Sequence, residues 1–190
     1  MKRILLLGDS IRIGYCEKVA SILDGKAEVC WPGENCRFAQ YMIAAMGGWA
    51  SAVGRPETID VVHWNCGQWD TAQFERDGRP LVTEDEYEKA LVRVDALIRR
   101  LFPNAQVIFA LTTPVLPGVP MTAPRTTDDV VRYNRVAQRV MDRLNVPVND
   151  LFSVAAEFSA GMYKDAVHFT PEGYQVLAEA VVRALEKYTV

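Results

Sequence analysis

The sequence predicts a three-layer α/β/α sandwich on a five-stranded parallel sheet, and two observations carry that expectation. Short apolar runs of strand length alternate along the chain with stretches whose apolar residues recur at helical spacing. The two longest loops fall directly after strand runs, the edge at which an open parallel sheet places its ligands.

The first strand spans about Arg3 to Leu7, an apolar run that stops at Gly8-Asp9-Ser10. Tyr15, Val19, Ile22 and Leu23 then trace a helical face until Asp24-Gly25 breaks it. Ala27 to Trp31 reads as a second strand ending at Pro32-Gly33, and Phe38, Met42, Ala45, Met46 and Trp49 as the helix after it. A third strand, Ile59 to Trp64, opens into a loop that runs to Pro80. Thr83 and Glu86 form a capping box, and Tyr87, Leu91, Val94, Ile98 and Leu101 give the next helix its buried face.

Gln106 to Leu111 is the fourth strand, and the stretch 112–127 holds four of the ten prolines, which excludes regular structure there. Tyr133, Ala137, Val140 and Leu144 mark a helix, and Val146 to Val148 a short fifth strand. The last helix has Thr170 as N-cap and Pro171 in its first turn, with Tyr174, Leu177, Ala178, Val181, Val182 and Leu185 on one face. Helices between parallel strands cover both faces of the sheet.

At 190 residues without a linker, one domain over 1–190 with a sizeable core is expected. The net charge of -3 comes from 21 basic and 24 acidic residues with no basic stripe, which argues against nucleic-acid or anionic-membrane partners and leaves a small-molecule or glycan ligand, or none. The apolar run after Met1-Lys2-Arg3 ends at Gly8, too short for a signal peptide, and no segment approaches the ~18 apolar residues of a membrane span. A cytoplasmic protein is expected. Cys16, Cys30, Cys36 and Cys66 lack metal-ligand spacing, and with only two histidines in the chain they are expected to be reduced thiols with no metal and no cofactor.

The chemistry gathers around Ser10. A serine hydroxyl needs a positioned base, and the base needs an orienting group; His168 and Asp165, three residues apart just before the last helix, offer one of each. His63, inside a strand pattern, reads as structural. Asp9 or Ser10 equally suits a helix cap. Acyl transfer also needs donors for the developing oxyanion, and the candidates are the N–H groups of Ser10, Gly67 and a residue near Cys36, with the Asn65 amide.

These residues resemble the SGNH, or GDSL-type, serine esterases and lipases. Gly8-Asp9-Ser10 is similar to the first block with its nucleophile, Gly67-x-x-Asp70 to the third, and Asp165-x-x-His168 to the fifth, in family order over nearly the whole chain. The longer pieces from Gly8 to Arg12 and from Asp165 to Tyr174 resemble the carbohydrate-esterase-like acylhydrolase branch. The resemblance implies a flavodoxin-like sandwich and two-step ester hydrolysis without a cofactor. Ser10 would be the nucleophile, His168 the base and Asp165 its orienting acid.

Two positions depart from the pattern. Trp69 stands where the third block has its asparagine, so either Asn65 substitutes as donor or the hole runs on backbone groups alone, and the second block's glycine falls at Gly33 or at Cys36, with Cys36 the favoured position. Asp9, Arg37, Trp69 and Asp70 are expected to contact substrate. Trp31, Trp64 and Trp69 fall at or beyond strand ends, where an aromatic face either stacks on a sugar ring or packs in the core. An O-acetylated carbohydrate is the expected substrate. The rival readings are a lipase or thioesterase of the same fold, a non-catalytic glycan-binding module, and a glycosidase using Asp9 and Asp70 as its paired carboxylates.

Overall fold

The computed structural model describes residues 1–75 and 77–189. Strands β1 (Lys2–Leu7), β2 (Ala27–Cys30), β3 (Val61–Trp64), β4 (Gln106–Ala110) and β5 (Val148–Asn149) form one sheet in the order β2-β1-β3-β4-β5, and every neighbouring pair is parallel. This is the flavodoxin-like order, whose switch point lies beside the C-terminal end of the first strand. Gly8-Asp9-Ser10 follows that strand directly.

The helices α1 (Ser10–Ile22), α2 (Ala39–Val53), α3 (Glu84–Leu101), α4 (Thr127–Leu144), α5 (Leu151–Ala156) and α6 (Pro171–Thr189) fill the two outer layers. Alternation along β1 explains the layering: Leu5 and Leu7 pack with α2, α3 and α4, whereas Ile4 and Leu6 pack with α1, α5 and α6. All four are fully buried, as strands covered on both faces require. The capping box of Thr83 and Glu86 forms as read from the sequence, and a second one, Thr126 with Asp129, starts α4.

Two expectations on elements are corrected. The fifth strand lies at Val148–Asn149 rather than Val146–Val148, because Pro147 has no N–H and serves only as an acceptor, for Phe109 N–H at 3.0 Å. Short α5 and the 3-10 turns Pro56–Thr58 and Ala160–Met162 lack a full period of apolar spacing and were not anticipated. No helix among the described residues is long and apolar enough to cross a membrane.

His63 points from β3 into the α1 layer, fully buried, with the Asn149 amide 3.1 Å from its Nε2 and Tyr15 edge-on. Burial pushes its pKa down to about 4, so it stays neutral. The structural reading of His63 holds.

Candidate active site

Ser10 is the first residue of α1, and Asp9 is its N-cap, accepting from Ile11 N–H at 2.9 Å. Capping and presentation of the nucleophile are therefore done by adjacent residues, not by one residue in competing roles. The turn is tight beneath Gly8, where a Cβ would lie 1.9 Å from Asn65 Oδ1 and 2.9 Å from Arg12 Cβ. Arg12, buried one turn into α1, donates to the carbonyls of Gly8, Pro32 and Glu34 and so clamps the β2–α2 loop against the Ser10 turn.

His168 reaches Ser10 from the opposite end of the chain. The segment before α6 folds back on itself through Lys164 N–H to His168 O at 2.8 Å, Thr170 N–H to Met162 O at 2.9 Å and a bridge between Tyr163 and Phe169. Phe169 is buried among Phe158, Tyr163 and Tyr174, which fixes the loop beside it. Asp165 Oδ1 accepts from Val167 N–H at 2.9 Å and His168 N–H at 2.8 Å. Its Oδ2 lies 2.8 Å from His168 Nδ1, and His168 Nε2 lies 2.8 Å from Ser10 Oγ. Partial burial would raise the Asp165 carboxyl, but those backbone N–H groups and the imidazole outweigh it and hold the pKa below the usual value. The line Asp165–His168–Ser10 has the hydrogen-bond order of a nucleophile, a base and its orienting acid.

Several expected site residues are engaged elsewhere. The Cys36 N–H donates to Gly8 O at 3.0 Å, so it has no free hydrogen for an oxyanion. Asp70 is fully buried and accepts from Ala39 N–H at 3.0 Å, and Gly67 holds the turn through its carbonyl, which accepts from Thr71 N–H at 3.0 Å. The Asn65 side chain packs under Gly8, where its amide stabilises the buried Asp9 carboxylate, and it lines neither groove at Ser10. Asp9 and Asp70 are sealed from substrate because each serves backbone donors below the surface. That removes them as the flanking carboxylates of a glycosidase. Arg37 lies over the Tyr41 ring at 4.6 Å, outside both grooves.

Of the tryptophans, Trp64 is a core side chain packed edge-on to Phe109, and Trp31 packs against the α1–α6 layer. Trp69 is different: beside Phe74, it lines a groove of about 310 Å³ with Ser10, His168, Asn35 and Arg125. A larger groove of about 740 Å³ lies on the other side of the Ser10–His168 pair, lined by Ile13, Lys18, Lys164 and Tyr174. Among the described residues, no group of His, Cys, Asp or Glu side chains is placed to hold a metal ion.

Two residues of the smaller groove escaped sequence reasoning. Asn35 has its Oδ1 fixed by Arg37 N–H at 2.7 Å, leaving the amide N–H2 as its uncommitted end. In the sequence Asn35 carries no signal of its own beside Cys36, where the resemblance expects a glycine. Arg125 sits near the end of the proline-rich loop, where nothing in the sequence marks which side chain turns inward. The Ser10 N–H, at the first turn of a helix, has no intrahelical acceptor, and Ser10 itself lines the same groove.

The sequence matches the model of the GDSL-like Lipase/Acylhydrolase family over residues 6–176. A search of the curated proteins found no match. Solved structures with the same fold include an acetyl xylan esterase, 18% identical with a TM-score of 0.77 over 96% of this chain and 99% of that one. A lipase/acylhydrolase from Enterococcus faecalis is 21% identical with a TM-score of 0.75, covering 98% and 96% of the two chains. A carbohydrate acetylesterase from Sinorhizobium meliloti is 14% identical with a TM-score of 0.73, covering 98% and 99%. At these identities the structural likeness establishes the fold.

Proposed function

We propose, from the premise that this chain belongs to the GDSL-like lipase/acylhydrolase family, that it is a serine esterase removing short acyl groups, chiefly acetyl, from carbohydrate. As a member of that family it is a hydrolase acting on ester bonds. The observation that carries the finer reading is the continuous hydrogen-bonded line from Asp165 through His168 to Ser10 Oγ.

In this reading Ser10 Oγ attacks the ester carbonyl as His168 Nε2 takes its proton, and Asp165 steadies the imidazolium that forms. The tetrahedral intermediate places its oxyanion by the Ser10 N–H, where the α1 dipole also favours negative charge, with the Asn35 amide as second donor. Collapse expels the alcohol, which takes the proton from His168, and water then resolves the acyl enzyme by the same steps. No metal or cofactor enters these steps.

Two features support an acetylated sugar as substrate. The smaller groove is lined by Trp69 and Phe74, aromatic faces that suit a sugar ring. An acetyl xylan esterase and a carbohydrate acetylesterase are among the structural neighbours. Four free cysteines suit a reducing cytoplasm.

A panel of p-nitrophenyl acetate, butyrate and octanoate tests the proposal, with Ser10→Ala as control. Acetate should be turned over far faster than octanoate, and Ser10→Ala should abolish both. A preference for octanoate moves the enzyme to lipase or thioesterase chemistry; full activity in Ser10→Ala ends the serine mechanism.

A further inference from the structure

Arg125 is half-buried on the wall of the smaller groove, alongside Ser10, His168 and Trp69. Its Nε donates to Gln68 Oε1 at 2.8 Å and its Nη1 to the Ala123 carbonyl at 2.9 Å. Gln68 is itself buried and is locked by its Nε2 donating to Thr113 O at 2.7 Å. The guanidinium is thus held from behind by two neutral acceptors, and its orientation is set before any ligand arrives.

A guanidinium carries five N–H donors in a fixed fork, and these bonds use two of them. Three donors remain, one on Nη1 and two on Nη2, which leaves the Nη2 side as the free edge of the guanidinium. Carboxylates act on Arg125 only at longer range, Asp9 from below and Asp165 from beyond the imidazole; among the described residues none is paired with it. A guanidinium drawn partly out of water gains from an anion set against its free donors. Among the described residues its hydrogen-bond partners are a carbonyl and an amide oxygen, and carboxylates reach it only at longer range.

The free edge shares a wall with an aromatic face. Ester oxygens at the reacting carbon already have the Ser10 N–H and the Asn35 amide, so the charge on Arg125 is directed at another part of the substrate. An edge with two parallel N–H vectors matches a carboxylate, and Trp69 beside it offers a face to the ring that carries one.

We propose that Arg125 is a specificity-determining residue that selects O-acetylated sugars bearing a carboxylate, such as uronates, over neutral acetylated sugars. The inference rests on the esterase reading above and narrows its substrate class.

The test compares a methyl mono-O-acetyl-glucuronoside with its uronamide, which has the same shape without the charge. The wild-type enzyme should favour the acid by about tenfold or more in kcat/KM, mainly through KM. Arg125→Gln should bring the ratio near one, and Arg125→Lys should restore part of it. A wild-type ratio near one, with both esters turned over, overturns the proposal. So does an Arg125→Gln variant that loses kcat equally on both, since Arg125 would then serve the reacting carbonyl. Calorimetry of wild-type enzyme with free glucuronate and glucuronamide needs neither turnover nor a folded variant: only the acid should bind, and equal binding of both, or of neither, overturns the selection. If no acetyl ester is hydrolysed at all, the esterase reading fails, and the calorimetric comparison still decides the role of Arg125.

Discussion

Across the crevice, the wall that follows β1, β2 and β3 differs from the wall formed by the loops before α4 and α6 in what its polar groups do. On the first wall Asp9, Asp70 and the Cys36 N–H are bound to nearby backbone and Asn65 lies against Asp9, almost all out of reach of solvent. On the second wall His168 turns its Nε2 outward to Ser10, and Arg125 keeps a free edge. Both walls are rich in the residue types associated with catalysis. The difference teaches that a polar residue at a strand's C-terminal edge is as often part of the frame as part of the chemistry, and that hydrogen-bond commitments separate the two.

The largest effect should come where the walls meet. Ser10→Ala and His168→Ala should each lower kcat by about ten-thousandfold or more, and the double variant should lose little beyond either single one, because the two act as a unit. Steady-state kinetics on p-nitrophenyl acetate measures this. Additive losses would mean that the 2.8 Å contact between them is incidental.

A smaller and sharper contrast separates the two asparagines. Asn35→Ala should lower kcat by roughly a hundredfold with little change in KM, the cost of one oxyanion donor. Asn65→Ala removes the amide beside the Asp9 carboxylate and opens space below Gly8, so it should lower stability by about 1–3 kcal/mol while the folded enzyme keeps most of its kcat. Urea melts and kinetics on the same two variants give both numbers. The reverse pattern would return the oxyanion role to Asn65.

Much of this molecule was legible before any coordinates. The apolar runs at Leu5–Leu7 and Val61–Trp64 and the periodic faces of α3, α4 and α6 fixed the layers, because burial on two sides of a sheet demands that patterning. Ser10, Asp165 and His168 came together as spacing and loop position suggested. The oxyanion donors did not, because they depend on which N–H is already taken, and the Cys36 N–H is taken by a carbonyl 28 residues earlier at Gly8. Arg125 was invisible for a related reason: Gln68, which aims it, is 57 residues away. Local pattern reports elements; it does not report long-range hydrogen bonds.

The smallest effect on kcat concerns the buried carboxylate of the first wall. Burial raises the Asp70 pKa to about 7, above the roughly 3.9 of an unfolded chain, so the folded state binds more protons between those values. Its contribution to stability is therefore complete below about pH 4 and is lost as pH rises through about 7. His63 has the opposite sign: its pKa near 4 lies below the ordinary 6.5, so stability from its neutral form is lost as pH falls through that range. The two slopes oppose each other in the intact protein. Asp70→Asn keeps an oxygen for Ala39 N–H and removes one of them, so its stability relative to wild type should grow by about 3–4 kcal/mol between pH 4 and pH 7. His63→Gln should remove the other slope. Urea melts across that range test both, and parallel curves for Asp70→Asn and wild type would mean that Asp70 keeps an ordinary carboxylate pKa. The pH profile of kcat in Asp70→Asn should stay where it is in wild type, because a frame residue sealed beneath α2 titrates the fold and not the reaction. A profile that moved with Asp70 would place it in the chemistry and erase the distinction between the two walls.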